Sequence, residues 1–247
     1  MAPEIESFYT WPFDASAIIL RYFFFAGTAY IIFYRWKQKT LSGIKIQKKA
    51  PPARIVMQEI LYSLLTISIY CVTSLLVFEL QKSGITKIYL DIHRYSYTYF
   101  MISIVVMIIV HDTYFYWTHR LLHLPKFFKW IHKTHHLSDN PTPWAAFSFH
   151  PFEAIISAGI IPIIVFIIPC HPFALFSFLT FMTLINVIGH LGYETFSKRI
   201  MNNKILQWQN TSTNHNIHHQ RSKYNFGLYF TFWDRLMKTY QFEEENK

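Results

Sequence analysis

Eight of the thirteen histidines fall into three tight clusters. They are His119 and His123, spaced H-x3-H; His132, His135 and His136, spaced H-x2-HH; and His215, His218 and His219, spaced H-x2-HH again. Imidazole is the commonest side-chain metal ligand and suits iron, zinc and copper. One metal ion takes about four to six ligands, so eight or more in this grouping imply a two-metal centre. Asp112, Tyr116, His119 and His123 recur at i, i+4, i+7 and i+11 and share one helical face. The two histidines then have Cβ atoms about 5–6 Å apart, close enough to share a metal. Asp112, two turns back, is placed to orient a ligand imidazole; it and Tyr116 are the catalytic candidates on that stripe. His132, His135 and His136 follow a break at Pro125 and again present three rings on one face. Buried polar rings beside a membrane are expensive one by one, and a shared metal explains them together.

Further histidines carry weaker signals. His190 and Glu194 form an i, i+4 pair at the end of the last apolar block, and both types are competent iron ligands. His150 is a ligand, or instead caps a helix or lines the pocket. His111 lies off the ligand stripe and reads as structural. His93 and His171 read as loop residues on the opposite face.

These clusters must be positioned by a membrane-embedded chain. Of 247 residues, 52% are hydrophobic and only 15% charged, against about 25% charged in a soluble domain. The two cysteines, Cys71 and Cys170, sit in apolar segments and read as small buried hydrophobes rather than a disulfide framework. The net charge of +9 is concentrated in the run Arg35 to Arg54, directly after an apolar segment. That is a juxtamembrane loop signal and not a nucleic-acid footprint. Residues 1–10 carry Glu4 and Glu6 without a basic region, unlike a cleaved signal peptide.

A spanning helix needs roughly 20 apolar residues. Spans are expected over about Phe13–Tyr34, Ile55–Leu80 and Tyr97–Trp117. A long block, Ala154–Leu191, is broken at Pro169–Pro172 and reads as a helical hairpin that crosses twice, with a re-entrant pair as the alternative. The fold class is therefore all-α, a polytopic bundle of about four to five membrane segments under a histidine-rich helical cap. Residues 1–96 form the N-terminal membrane part with its basic loop, 97–240 the catalytic part, and 241–247 an acidic tail. The positive-inside rule places the basic loop in the cytoplasm. Counting spans from there brings all three clusters to the cytoplasmic face, and the sequon Asn210-Thr211-Ser212 should stay unglycosylated. A bacterial inner membrane and the endoplasmic reticulum fit equally well.

The motif Asp112-x3-Tyr116-x2-His119-Arg120-x2-His123, with the two H-x2-HH clusters, resembles the fatty acid hydroxylase and sterol desaturase superfamily of membrane di-iron enzymes. The segments Asn225-Phe226-Gly227 and Phe232-Trp233-Asp234-Arg235 resemble that family's C-terminal part. Asn140 to Trp144 followed by Phe149-His150-Pro151 looks most like the sterol C5-desaturase branch. Where fatty acid 2-hydroxylases carry a further H-x3-H, this chain has His190-x3-Glu194, so the 2-hydroxylase substrate does not carry over.

The resemblance implies two iron ions, with zinc able to replace them during purification. It also implies a lipid substrate, O2, and hydroxylation or desaturation of an unactivated carbon. The sequence shows no flavin or nicotinamide fingerprint and no His-Pro-Gly-Gly motif, so electrons are expected from a separate cytochrome b5, ferredoxin or reductase. The rival readings are a membrane metal transporter and a zinc-dependent hydrolase. A transporter places its ligands near the bilayer midplane. A catalytic zinc needs only three protein ligands and a water.

Overall fold

A computed structural model describes residues 10–242 except 202 and 205. Glu4, Glu6 and Glu243 to Glu245, on which two of the expectations above rest, lie outside the described residues. Four helices are long and apolar enough to cross a membrane: Trp11–Trp36, Ala53–Lys82, Tyr97–Leu122 and Pro172–Gly189. The first is α1, Trp11–Tyr30, continued by a π-helical turn over Ile31–Trp36; Pro12 sits in its first turn, where no amide donor is needed. Next come α2, Ala53–Lys82, and α3, Tyr97–Leu122, whose N-cap Ser96 accepts from the Tyr99 amide at 3.1 Å. At 1.5 Å per residue each exceeds the roughly 30 Å hydrocarbon core.

These helices are apolar outside and polar inside. The buried positions of α2 include Glu59, Ser63 and Thr66, and those of α3 include Ser103, His111, Asp112, Tyr116 and His119. Leu20, Phe24, Leu61, Val72, Met101 and Ile109 face outward instead. That inversion is the pattern of an integral membrane protein, whose apolar surface meets lipid and whose polar groups must pair internally.

After α3 the chain turns at Pro125 into α4, built from Pro125–Phe127, a π-helical Phe128–His132 and Lys133–His136. The block after His150 holds α5, Pro151–Ala158, α6, Ile160–Ile167, and α7, Pro172–Gly189. At the α5–α6 joint the Tyr114 hydroxyl donates to the Ile156 carbonyl at 2.6 Å. The first limb of this hairpin is two short helices, and only the second is a single long span. Even so, the turn between them reaches the far end of the bundle. The Tyr89 amide donates to the Cys170 carbonyl at 3.1 Å and the Tyr99 hydroxyl to Pro169 at 2.7 Å. His171 is not the ordinary loop residue the sequence suggests: it is fully buried. Its Nδ1 accepts from the Phe173 amide at 3.2 Å and caps α7, and Nε2 pairs with the Leu90 carbonyl at 3.2 Å.

The basic loop lies at the other end, with the histidines. The Ile46 amide donates to Gly192 at 3.1 Å, Gln47 to Asp139 at 2.7 Å, and Asn140 to Lys49 at 2.7 Å. The C-terminal part adds α8, Ser212–Arg221, and α9, Phe232–Leu236.

Candidate metal centre

Nine histidines meet at this end of the bundle in two groups. His119, His123, His132, His136 and His218 form one, and His135, His190, His215 and His219 the other; within each group the nitrogens on offer lie within 4.8 Å of one another. All eight clustered histidines and His190 are included. α3 supplies His119 and, at its cap, His123. The π-helical turn of α4 widens the helix just ahead of Lys133–His136, so that His132 and His136 face one group while His135 faces the other. α7 supplies His190 at its C-terminal cap. α8 is polar in sequence yet buried along most of its length, including Asn214, His215, Asn216, His218 and His219. A polar helix is tolerated there only if its groups find partners. Thr211 starts it by accepting from the Asn214 amide at 3.2 Å.

The ring orientations fix the chemistry. His119 Nδ1–H donates to the Phe226 carbonyl at 2.8 Å, His135 to Ser148 at 3.2 Å, His190 to Asn186 at 2.8 Å and His218 to Tyr224 at 2.7 Å. His136 makes a longer contact with the His219 carbonyl, at 3.4 Å. A carbonyl only accepts, so each of these Nδ1 atoms carries the proton, and in a neutral ring Nε2 then presents a lone pair. The Nε2 atoms face one another: His119 and His132 at 3.1 Å, His136 and His218 at 3.2 Å, His135 and His190 at 3.3 Å, His190 and His215 at 2.9 Å, His215 and His219 at 3.2 Å. Converging lone pairs repel unless a cation stands among them. For imidazole ligands about 2.1 Å from a metal, neighbouring nitrogens are about 3.0 Å apart in an octahedron and about 3.4 Å in a tetrahedron. The observed spacings match those of metal ligands.

Protonation offers no escape from this repulsion. Burial, reinforced by neighbouring imidazoles, holds His132, His135, His215, His218 and His219 well below the ordinary histidine range. Burial likewise takes His136 to about 3 and His190 to about 4. The rings stay neutral and competent to ligate.

Glu153 completes the arrangement and is missed by sequence reasoning. It lies in the first turn of α5, is buried, and places Oε1 2.8 Å from His132 Nδ1. A carboxylate on a ligand imidazole fixes the tautomer and raises its basicity. A lone acid in the first turn of an otherwise apolar helix was the available signal.

The remaining candidates lie nearby in other roles. His150 belongs to neither group; its Nδ1 accepts from the Phe152 amide at 3.3 Å and caps α5. Glu194 accepts from the Phe196 amide at 2.9 Å and the Thr213 amide at 3.1 Å, fastening the start of α8 to the end of α7. His111 is buried, with Nδ1 2.7 Å from the Tyr229 hydroxyl. Asp112 does not bond an imidazole as the stripe suggested. Its Oδ1 accepts from the Tyr229 and Phe230 amides at 2.9 and 3.3 Å, holding the segment whose Phe226 carbonyl receives His119. Tyr116 lies 3.1 Å from Thr239 Oγ1, stacks on Trp233, and accepts from Arg120 at 3.2 Å. Asp234 accepts from the Phe226 and Gly227 amides at 2.9 and 2.8 Å.

The fatty acid hydroxylase family matches residues 104–239, more than half of the chain and the part that carries all nine histidines. The chain belongs to this family. Lathosterol oxidase of Homo sapiens is 29% identical over 226 residues, 90% of this chain and 71% of the relative. Lathosterol oxidase of Mus musculus is 30% identical over 184 residues, 73% of this chain and 60% of the relative. A Delta(7)-sterol 5(6)-desaturase of Gibberella zeae is 28% identical over 179 residues, 72% of this chain and 54% of the relative. The chain thus spans little more than half of some of these relatives. No solved structure matches it.

Proposed function

We propose that the protein is a membrane oxygenase that uses O2 and external electrons to hydroxylate or desaturate a lipid, with the nine histidines holding two iron ions. The observation that carries this reading is the pair of convergent imidazole sets, five and four, in which Nδ1 of His119, His135, His190 and His218 is pinned as a donor to a backbone carbonyl. A zinc hydrolase would leave most of these rings without a purpose. The names of the relatives support a lipid substrate, with a sterol the first class to try.

Iron bound here supplies O2 activation and hydrogen abstraction from an unactivated C–H bond. The chain's own contribution is positional. Carbonyls of Phe226, Ser148, Asn186 and Tyr224 hold four rings in one tautomer, and Glu153 holds His132. The buried cap over the rings excludes water from the reacting carbon. A lipid enters from the membrane side, where a cavity opens between the helices beneath the cap. The histidine end shares its face with the basic loop, which supports a cytoplasmic site reached by a separate donor such as cytochrome b5, a ferredoxin or a reductase.

The test is metal analysis of protein purified from iron-supplemented cells, followed by lipidomics of host membranes under 18O2. Two metals per chain and a lipid that gains labelled oxygen, or loses two hydrogens, are expected with the wild type and not with His135→Ala. Iron-loaded protein with a competent donor and no altered lipid overturns the oxygenase reading.

A further inference from the structure

A second cavity, of about 280 Å³, lies between Thr211 and Asn214 at the start of α8, Leu206 and Gln207 before it, and Arg235 and Tyr240 near the C-terminus. None of the nine histidines lines it. A single water needs about 10–15 Å³ of such space, so the cavity admits a whole polar group.

Two of its walls carry unspent hydrogen-bonding capacity. Asn214 is 1% exposed, and its Oδ1 has no partner among the described residues. A buried acceptor left unmade is costly. Arg235 is held in place on three sides. Its Nε donates to Thr231 Oγ1 at 3.0 Å and its Nη2 to the Gln207 carbonyl at 3.1 Å. Its guanidinium lies 4.3 Å from the centre of the Tyr240 ring and 5.1 Å from that of Trp208. Nη1 takes no partner among the described residues, so a fixed guanidinium edge remains to be matched. No carboxylate answers it: none lines the cavity, and among the described residues none stands within ion-pair distance of Arg235. Glu194 spends its oxygens on the Phe196 and Thr213 amides, and Asp234 on the Phe226 and Gly227 amides.

A fixed cation without an acid calls for an anionic acceptor, and the orphaned Oδ1 calls for a donor. An ionised fatty acid only accepts and would leave Asn214 unpaired. A phosphate matches the guanidinium fork. A phosphate ester with an ammonium or hydroxyl group two carbons away supplies both. The surroundings favour one carried on a lipid. Trp208, Phe232, Leu236 and Phe242 are exposed although apolar. Trp233 Nε1 donates to Thr113 Oγ1 at 3.2 Å, so this segment runs along the flank of the spanning helix α3. Basic and aromatic side chains together at the rim of a bundle are the pattern of the lipid headgroup region.

We propose that this cavity binds the headgroup of a membrane phospholipid whose alcohol part can donate a hydrogen bond, ethanolamine or glycerol, with the phosphate on Arg235 and the donor on Asn214. Asn214 directly precedes His215, and its carbonyl accepts from Asn225 at 3.1 Å. A bound headgroup therefore braces the helix that carries His215, His218 and His219. The site does not depend on what the histidines catalyse.

The experiment offers equimolar lipids to the delipidated full chain in detergent and reads the first lipid retained by native mass spectrometry. The probes are phosphatidylethanolamine, phosphatidylglycerol and phosphatidylcholine with the same acyl chains, oleate, and two soluble competitors, phosphoethanolamine and inorganic phosphate. The wild type is expected to retain at least one of the first two about tenfold over phosphatidylcholine, whose quaternary ammonium donates no hydrogen bond. This contrast needs no variant. Asn214→Leu should erase the difference while keeping the phosphatidylcholine level. Arg235→Met should lower retention of all three phospholipids, and Arg235→Lys should keep part of it. Metal content of each variant reports whether α8 has stayed in place. Equal retention of the three phospholipids, an undiminished preference in Asn214→Leu with its metal intact, or oleate retained above them each overturns the assignment. Displacement of the lipid by either soluble phosphate at equal concentration overturns it too, by making the cavity a site for free phosphates.

Discussion

The Glu153 carboxylate sits 2.8 Å from Nδ1 of His132, and both side chains are buried. This contact is the one carboxylate–imidazole pair among the described ligand rings; His119, His135, His190 and His218 are held by carbonyls instead. A carboxylate partner strengthens a ligand more than a carbonyl does, because it stabilises the charge the ring shares with the metal. Removing it also leaves the His132 Nδ1–H without an acceptor. Glu153→Ala should therefore weaken metal binding at the five-histidine group by about 10–100-fold. Glu153→Gln, which keeps an acceptor oxygen, should lose less. Chelator competition followed by elemental analysis measures both, and unchanged retention in Glu153→Ala would remove its role.

The two groups differ in redundancy. His190→Ala leaves three ligands of four, whereas His123→Ala leaves four of five. Purified His190→Ala should carry about one metal per chain and show no lipid oxidation. His123→Ala should retain more metal than His190→Ala under the same chelator challenge. Equal loss from both variants would contradict the division into five and four.

The clusters themselves were legible because the chemistry imposes a spacing: i, i+3 and i, i+4 place rings on one helical face, and no other reading accounts for eight of them. His190 was legible as the polar end of an apolar block. What the sequence did not show was the wiring. Asp112 shares the stripe of His119, yet its carboxylate turns to the Tyr229 and Phe230 amides, more than a hundred residues later in the chain. Side-chain periodicity gives a face, not a partner, and backbone amides in an irregular loop leave no pattern to read. His171 was misjudged for the same reason. Its partner, the Leu90 carbonyl, belongs to a distant loop that meets it only in the folded bundle.

Gly192 tests how tightly α7 is locked beneath the site. It has φ +73°, and a Cβ there would run into the Tyr34 hydroxyl. That hydroxyl donates to the Leu191 carbonyl at 3.0 Å, one residue beyond His190. Gly192→Ala should cost about 1–2 kcal/mol from the left-handed backbone alone, and more from the displaced tyrosine. A lowered melting temperature is expected, together with reduced metal content, since the displaced segment carries His190. In a Tyr34→Phe background the side-chain part of the penalty should shrink. If Gly192→Ala melts like the wild type, the contact carries no strain.

The bundle has two distinct ends, which makes its orientation testable. Lys48 belongs to the basic loop beside the histidines, while Arg94 lies in the loop after Leu90, at the end that meets the Pro169–Cys170 turn. In a chain with Cys71→Ser and Cys170→Ser, Lys48→Cys should react with an impermeant thiol reagent only from the cytoplasmic side, and Arg94→Cys only from the opposite side. Labelling of both from one side would overturn the crossing of α2, and reversed labelling the cytoplasmic site.

Acid should unlock the metal centre. Burial first, with neighbouring imidazoles adding to it, holds His136 at about 3 and His190 at about 4, against 6.5 for a free ring. As pH falls below about 6.5 the unfolded chain takes up protons that the folded chain refuses, so folding stability falls with pH through that window and stops falling, for each ring, at its folded value. The contribution is fully present above about 7 and is lost at a rate on the order of 1 kcal/mol per pH unit for each ring. Metal binding shifts in the same direction, because protons compete for the same Nε2 lone pairs. Melting temperatures of chelator-stripped protein should therefore be level from pH 8 to 7 and decline from 6.5 to 5, and metal-loaded protein should decline from a higher starting point. His190→Ala and His136→Ala should each flatten the slope of the stripped protein, since each removes a ring that resists protonation. A stripped protein whose melting temperature holds constant down to pH 5 would show that the rings are not kept neutral by the fold.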